Sequence, residues 1–515
     1  MTASIRWPLL GFLMSIALLV GCRSDVEERP LTLARLFSDG AVLQRDVSAR
    51  IWGWGTPGDA IHIQVAWART GEDGPVRFDV QTVVNADAAW EAELAPQGAG
   101  GPYSVEVRSA RGDTVRLSNV WFGDVWLASG QSNMEWRVMD AEGADAVVRS
   151  ATDSLIREIK VPRDWSFTPQ PDISGGQWLA ASAATVPHFS AVAYHAARML
   201  RANDPSVPIG IIHSSWGGSR IEPWMSAQTL GLSADDAERV YTAIATRDDS
   251  LLQGTSSYVE EVRQQLFAEK NQQPTLLYHA MIAPLERYAL KGFWWYQGES
   301  NAGALDAEAY EGQFQAMITQ WREAFGVPDA PFIWAQLASY KRAQERPDET
   351  GWATLRASQS AALVLPNTGE AILLDIGDAN DIHPRNKHDV GARIARWAIR
   401  LGGDTTIVAA GPRLAGAQLH EGGIELIFED VGGGLSTGAA DRAVGGLALE
   451  RMDGTWSFVR GQITADRARV MVAMPAVANA RRLRYAWADN PVRANLFNVE
   501  GLPASPFELD VSLLE

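Results

Sequence analysis

The sequence predicts an α/β protein in which a parallel-sheet domain is flanked by an N-terminal and a C-terminal β domain. Three observations predict it. From about residue 120 to 403, apolar strand-like runs alternate with stretches of helical spacing, the pattern of a parallel sheet with helical crossovers. Before residue 119 and after residue 404, short alternating segments are separated by Gly, Pro and Asp turns, which is the pattern of antiparallel β structure. At 515 residues the chain exceeds what one core ordinarily serves, so two or three domains are expected.

In chain order, residues 1–22 hold Arg6, an apolar run from Trp7 to Val20, and Leu19-Val20-Gly21-Cys22. This is the pattern of a bacterial lipoprotein signal cut before Cys22, with an ordinary secretory signal as the alternative. Both lead out of the cytoplasm. The apolar run is too short to span a bilayer comfortably. Lipidation at Cys22, the only cysteine, would leave no free thiol or disulfide. The expected address is therefore the bacterial cell envelope, periplasm or outer membrane, with membrane contact through a lipid anchor only.

Residues 31–119 carry AVLQRDVSARIWGWG, AIHIQVAWA, VRFDVQTVV, AWEAEL and YSVEVRSA. Ile61, Ile63 and Val65 alternate with His62 and Gln64 at the period of a half-buried strand, so a small β-sandwich is expected. Within residues 120–403 the buried strand candidates are DVWLAS, PIGIIHSS, KGFWWYQ, FIWAQLA and AILLDIGD. A polar stretch of helical spacing at about 226–273 reads as a helical insertion. Residues 404–515 return to short strands such as GIELIFED, LALERM and RRLRYAWAD, giving the C-terminal β domain.

The formal net charge is −17 and no run of Lys or Arg is long enough to form a basic patch. That argues against nucleic acid and against an anionic membrane surface as partners. The 20 Trp are spread along the chain. Most serve packing, but an indole can also stack on a sugar ring while its N–H reaches a hydroxyl.

Four segments carry chemistry: GDVWLASGQSNMEW, IGIIHSSWGGSRIEPW, FWWYQGESNA and GDANDIHPRNK. Ser132 follows the strand DVWLAS in a strand-to-helix turn, which lifts its side chain out of the sheet toward helix N-terminal amides. A seryl oxygen needs a neighbouring base to attack an ester; a helix cap is the alternative use of such a serine. Among eight histidines, His383 is the best base, because its loop precedes a helix at the rim where ligands bind open α/β sheets. His62, His188, His195, His388 and His420 read as structural or surface residues, and His213 and His279 as possible cleft residues. Acyl transfer also needs donors aimed at the oxyanion, each worth about 3–4 kcal/mol when removed. Gly217 or Gly218 can offer a backbone N–H, Asn301 a side-chain amide, and Ser132 its own N–H, with plain or Asx turns as the alternatives. Gln131, Trp216, Arg220, Glu299 and His279 are the candidate substrate contacts. Arg385 is a further cation beside an active-site segment.

With these residues in view, the chain resembles the sialate O-acetylesterase-like branch of the SGNH hydrolases. The matching pieces include SSWGGSRIEPW, LYHAMIAPL, WWYQGESNA, DIHPRNKHDVGARIARWA and YAWADNPVRANLFNVEGLPASPF, spread over about residues 36–508. The resemblance implies an SGNH-type three-layer α/β/α domain flanked by β domains, acting on O-acetylated sugars with no metal or cofactor. Carried over residue by residue, Ser132 is the nucleophile, Gly217 and Asn301 are oxyanion donors, and His383 is the base. Many relatives place Asp three residues before the histidine, where this chain has Asn380. Asp381 is the favoured acid, with Asp378, Glu299 or none as alternatives. His279 stands where relatives usually carry Asn. Sialic acid O-acetyl esters are the expected substrate, acetylated xylan or another hemicellulose the alternative, and a non-catalytic carbohydrate-binding lipoprotein the rival from another class.

Overall fold

The computed structural model describes residues 28–67, 76–252, 266, 268–474 and 476–514. The signal segment and Cys22 lie outside the described residues, as does much of the second half of the 226–273 segment.

Among the described residues, the N-terminal strands are β1 (Thr32–Leu33), β2 (Val42–Gln44), β3 (Ala49–Trp54), β4 (Ala60–Trp67), β5 (Val76–Val83), β6 (Ala89–Leu94), β7 (Gly100–Ser109) and β8 (Thr114–Gly130). Strands β1, β3 and β6 form one antiparallel sheet, while β4, β5 and β7 join β8. Ile61, Ile63 and Val65 are buried, as their alternation requires. Strand β8 passes through the expected boundary at residue 120 without a break, since its first half pairs with β7 and its second half with deeper strands.

Those deeper strands are β9 (Ile156–Lys160), β10 (Trp178–Ala180), β11 (Ile209–Ser215), β12 (Gly292–Tyr296), β13 (Phe332–Ala335) and β14 (Thr368–Ala371). Their order is β10-β9-β11-β8-β12-β13-β14, parallel except for β10. Runs such as GFWWY are apolar throughout because a parallel strand covered on both faces exposes neither set of side chains. Phe293 and Trp295 enter one core cluster and Trp294 the other. Helices α1 (Ser132–Glu135), α2 (Ala144–Arg149), α3 (Ala191–Asn203), α4 (Ala234–Thr246), α5 (Ala304–Ala324), α6 (Gly351–Ala361) and α7 (Lys387–Leu401) complete the region. Val192 and Tyr194 of α3 share the Trp294 cluster with Val390 and Ile394 of α7. Tyr310 and Phe314 of α5 share the opposite cluster with Leu355 of α6. The insertion contains α4, whose Val240 and Ile244 anchor a satellite cluster with Leu276.

One strand departs from expectation. AILLDIGD contributes only Ala371 to β14, and residues 372–378 leave the sheet. Its apolarity has another cause: Leu373 packs in the core around Trp294 while Leu374 packs against the C-terminal core. Beyond α7, seven antiparallel strands from Arg413–His420 to Phe507–Asp510 form a separate sheet with its own core around Leu426, Leu449 and Leu483.

Candidate active site

Register places the site. Ser215 of β11 and Tyr296 of β12 both pair with Gly130 of β8, so three carboxyl ends finish level and their loops share one rim. Gly130 is needed here: it has φ +134, and a Cβ would lie 2.1 Å from the Tyr296 carbonyl oxygen. The chain can then turn sharply, and Ser132 becomes the first residue of α1. Gln131 takes the cap position, so the Ser132 hydroxyl is free for another partner.

That partner is His383, whose Nε2 lies 2.8 Å from Ser132 Oγ. Asp381 Oδ1 is 3.4 Å from the other ring nitrogen and accepts the His383 backbone N–H at 2.9 Å. Ser132, His383 and Asp381 thus stand in line, hydroxyl to imidazole to carboxylate. Asn380 is exposed, and its backbone N–H donates to Asp378. Trp136 stacks on the imidazole at 4.9 Å and 20°. Burial pushes His383 below its ordinary value; Asp381 opposes this and Lys387 adds to it. The shift favours the neutral imidazole, the form a base needs.

A second serine–histidine–carboxylate set lies nearby. Ser215 Oγ is 2.6 Å from His213 Nε2, and His213 Nδ1 is 3.3 Å from Glu158. Access separates the two sets. Ser215, His213 and Glu158 are 1%, 0% and 3% exposed, whereas Ser132 and His383 line a cleft of about 650 Å³ with Glu135, Trp136, Arg137, Asp140, Lys160, Arg163 and Gly217. His213 is thus a core residue and not a cleft residue.

Both remote oxyanion donors expected from the sequence are committed elsewhere. Gly217 reaches the cleft, but its N–H donates to Glu135 Oε2 at 3.0 Å. Burial would raise the Glu135 carboxyl, but Arg163, Lys160 and the Gly217 amide outweigh it and hold it below the ordinary carboxylate range. An oxyanion there would meet a fixed negative charge. Asn301 is fully buried; its Oδ1 accepts from Ile221 N–H and Gln297, and its Nδ2 faces Glu222 at 3.2 Å. The Ser132 N–H, at the start of α1, remains as the local donor.

Asn301→Ala therefore tests structure against catalysis. Losing the buried acceptor for Ile221 is expected to cost about 1–3 kcal/mol of stability. The fall in kcat is expected to stay below the roughly 10²–10³-fold cost of a lost oxyanion donor. Thermal melting and kcat measured on the same preparation check this.

Four of the five proposed substrate contacts are also corrected. Arg220 is buried and bound to Glu222 and Asp306. His279 is buried against the Ser166 carbonyl and Tyr241. Gln131 is buried with its amide nitrogen toward Glu299 and the Ser219 carbonyl. Glu299 accepts a hydrogen bond from Asn133, the residue after Ser132. Trp216 alone stays at the rim, beneath the Arg163 guanidinium at 5.9 Å. Arg385 is exposed in the histidine loop. The cleft cations are instead Arg137, Lys160 and Arg163. Lys160 ends strand β9, a position at the same rim, and that strand was the available signal.

A family model described as carbohydrate esterase, sialic acid-specific acetylesterase matches residues 122–399. The chain is 29% identical to the Mus musculus sialate O-acetylesterase over 453 residues, covering 79% of each. It is 30% identical to the Homo sapiens sialate O-acetylesterase over 430 residues, covering 77% of this chain and 76% of that one. A carbohydrate acetylesterase from Xanthomonas citri is similar at 40% identity with a TM-score of 0.80, covering 93% of this chain and all of that one. With the family match spanning more than half of the sequence, the chain belongs to the carbohydrate esterase family of sialic acid-specific acetylesterases.

Proposed function

We propose that this chain is a serine esterase that removes O-acetyl groups from carbohydrates, with sialate O-acetyl esters as its substrate. The observation that carries the reading is the 2.8 Å contact between His383 Nε2 and Ser132 Oγ at the mouth of an open cleft. Ser132 Oγ attacks the acetyl carbonyl as His383 Nε2 takes its proton. The tetrahedral oxyanion takes the Ser132 N–H, and Asp381 stabilises the imidazolium. Collapse breaks the ester bond, and the sugar oxygen leaves with the proton from His383. Water, activated by the same nitrogen, then splits the acetyl-serine to acetate and restores Ser132.

Arg137 pairs with Asp140, and Lys160 and Arg163 share Glu135, which leaves one net positive charge on partly exposed side chains around the cleft and favours a sugar bearing a carboxylate over a neutral one. Acetate release from O-acetylated sialic acid and from acetylated xylan oligomers compares the two. Higher kcat/KM on the sialic ester supports this substrate, and preference for the xylan ester overturns it.

Asp381→Asn is expected to lower kcat by about tenfold to a hundredfold, since it orients the base but is partly solvated. Initial rates at saturating substrate measure it.

The finer architecture proposed is an SGNH-type three-layer domain at 120–403 between β domains at 31–119 and 404–515, supported by the order of the serine, glycine, asparagine and histidine segments. A lipid anchor at Cys22 in the bacterial envelope rests on the signal pattern. Lipid labelling lost in Cys22→Ala supports that anchor, and labelling retained contradicts it.

A further inference from the structure

Behind the catalytic pair lies a lysine that the mechanism above does not use. Lys387 opens α7, four residues after His383, and is fully buried. Burial pushes Lys387 down to about 7 against the pull of Glu299 and Asp381, and a buried ammonium persists only where such partners offset its lost hydration. Its Nζ donates to Asn133 Oδ1. The same nitrogen lies 5.6 Å from the ring centre of Trp136, the ring that stacks on His383, and 5.5 Å from that of Tyr296. Glu299 and Asp381 are the carboxylates that act on it, and His383 is the imidazole it acts on.

Asn133 directly follows the nucleophile, and both ends of its amide are committed. Its Nδ2 donates to the Ile382 carbonyl at 3.1 Å and to Glu299 Oε1 at 2.5 Å. Ile382 precedes His383, so one side chain ties α1 to the loop carrying the base. Lysine can only donate, and it therefore holds the oxygen end of that amide while the nitrogen end holds the loop.

We propose that Lys387 is a positioning residue for ester hydrolysis: by holding the Asn133 amide, its buried ammonium fixes Ser132 and His383 at reacting distance. The inference rests on the esterase reading of the same site. Removing the ammonium leaves Asn133 Oδ1 without its donor and Glu299 without its counter-charge, in a place where neither is well solvated. The Ser132–His383 contact then loosens, although neither reacting group has changed. The same ammonium pushes the His383 imidazole down, so its loss also makes the base easier to protonate.

The test compares wild type, Lys387→Met, Asn133→Ala and the double variant in acetate release from an O-acetylated sugar across pH. Each single variant is expected to lose about 10²-fold in kcat, the cost of a small misplacement of reacting groups, with KM nearly unchanged. The double variant is expected to match the lower single variant within about twofold, because both act through one contact. Lys387→Met is also expected to move the acid limb of the profile to higher pH, which a purely structural role would not do. Wild-type kcat in either folded variant, or additive losses in the double, overturns the inference. If Lys387→Met does not fold, Asn133→Ala decides alone by the same kcat criterion. Acetate release by wild type with no loss in the variants overturns only this inference; no release by wild type overturns the esterase reading and this inference with it.

Discussion

Ser132→Ala lowers acetate release by about 10⁴-fold or more, because among the described cleft residues it removes the hydroxyl placed to attack and be deprotonated together. The residual rate is that of binding and of the local N–H donor acting on water. Folding is expected to survive, since Ser132 does not hold the cap position of α1, and the lost bond is a single hydroxyl contact at the rim. Circular dichroism and melting on the purified variant separate loss of chemistry from loss of fold. A rate within tenfold of wild type would mean that the nucleophile lies elsewhere.

His383→Ala has a comparable effect, about 10⁴-fold in kcat, because nucleophile and base act as one unit and their losses do not add. The Ser132→Ala/His383→Ala double variant is therefore expected to be no slower than the slower single variant. The wild-type pH profile carries the signature of the same imidazole. His383 must be neutral to accept the proton, and burial lowers its value from the ordinary 6.5, with Asp381 opposing and Lys387 adding to the shift. Activity is therefore full above the folded-state value and lost as pH falls through it, and the midpoint of that loss lies below 6.5. A midpoint above 6.5 would contradict this.

Much of the site was legible because nucleophile chemistry is local. Ser132 needs a strand, a glycine turn and a helix start, and all three are adjacent in the chain. His383 was legible from its place before a helix at the sheet rim, although AILLDIGD was misjudged: an apolar run reads alike whether it pairs in a sheet or passes between two cores, as Leu373 and Leu374 do. Asn301 and Arg220 were misplaced for a different reason. Their residue types suit an active site, but Glu222 stands 79 residues from Asn301 and Asp306 stands 86 residues from Arg220, and sequence spacing does not show which way a polar side chain turns. The same limit hid Glu135, whose place on the Gly217 N–H depends on Arg163, 28 residues away. Asp381 is the nearest carboxylate in sequence, and the geometry supplies what spacing lacks: its oxygen accepts the His383 backbone N–H at 2.9 Å and lies 3.4 Å from a ring nitrogen.

Active-site labelling tests the central claim most directly, because two serines bonded to histidines stand among the described residues. Treatment with a small fluorophosphonate, followed by peptide mass analysis, reports which hydroxyl is both activated and reachable. One adduct is expected, on the peptide containing Ser132, with acetate release lost in proportion to labelling. The adduct is expected to vanish in Ser132→Ala and to form far more slowly in His383→Ala. An adduct on Ser215, or full acetate release from protein labelled at Ser132, would contradict the assignment of the Ser132–His383 pair as the catalytic machinery.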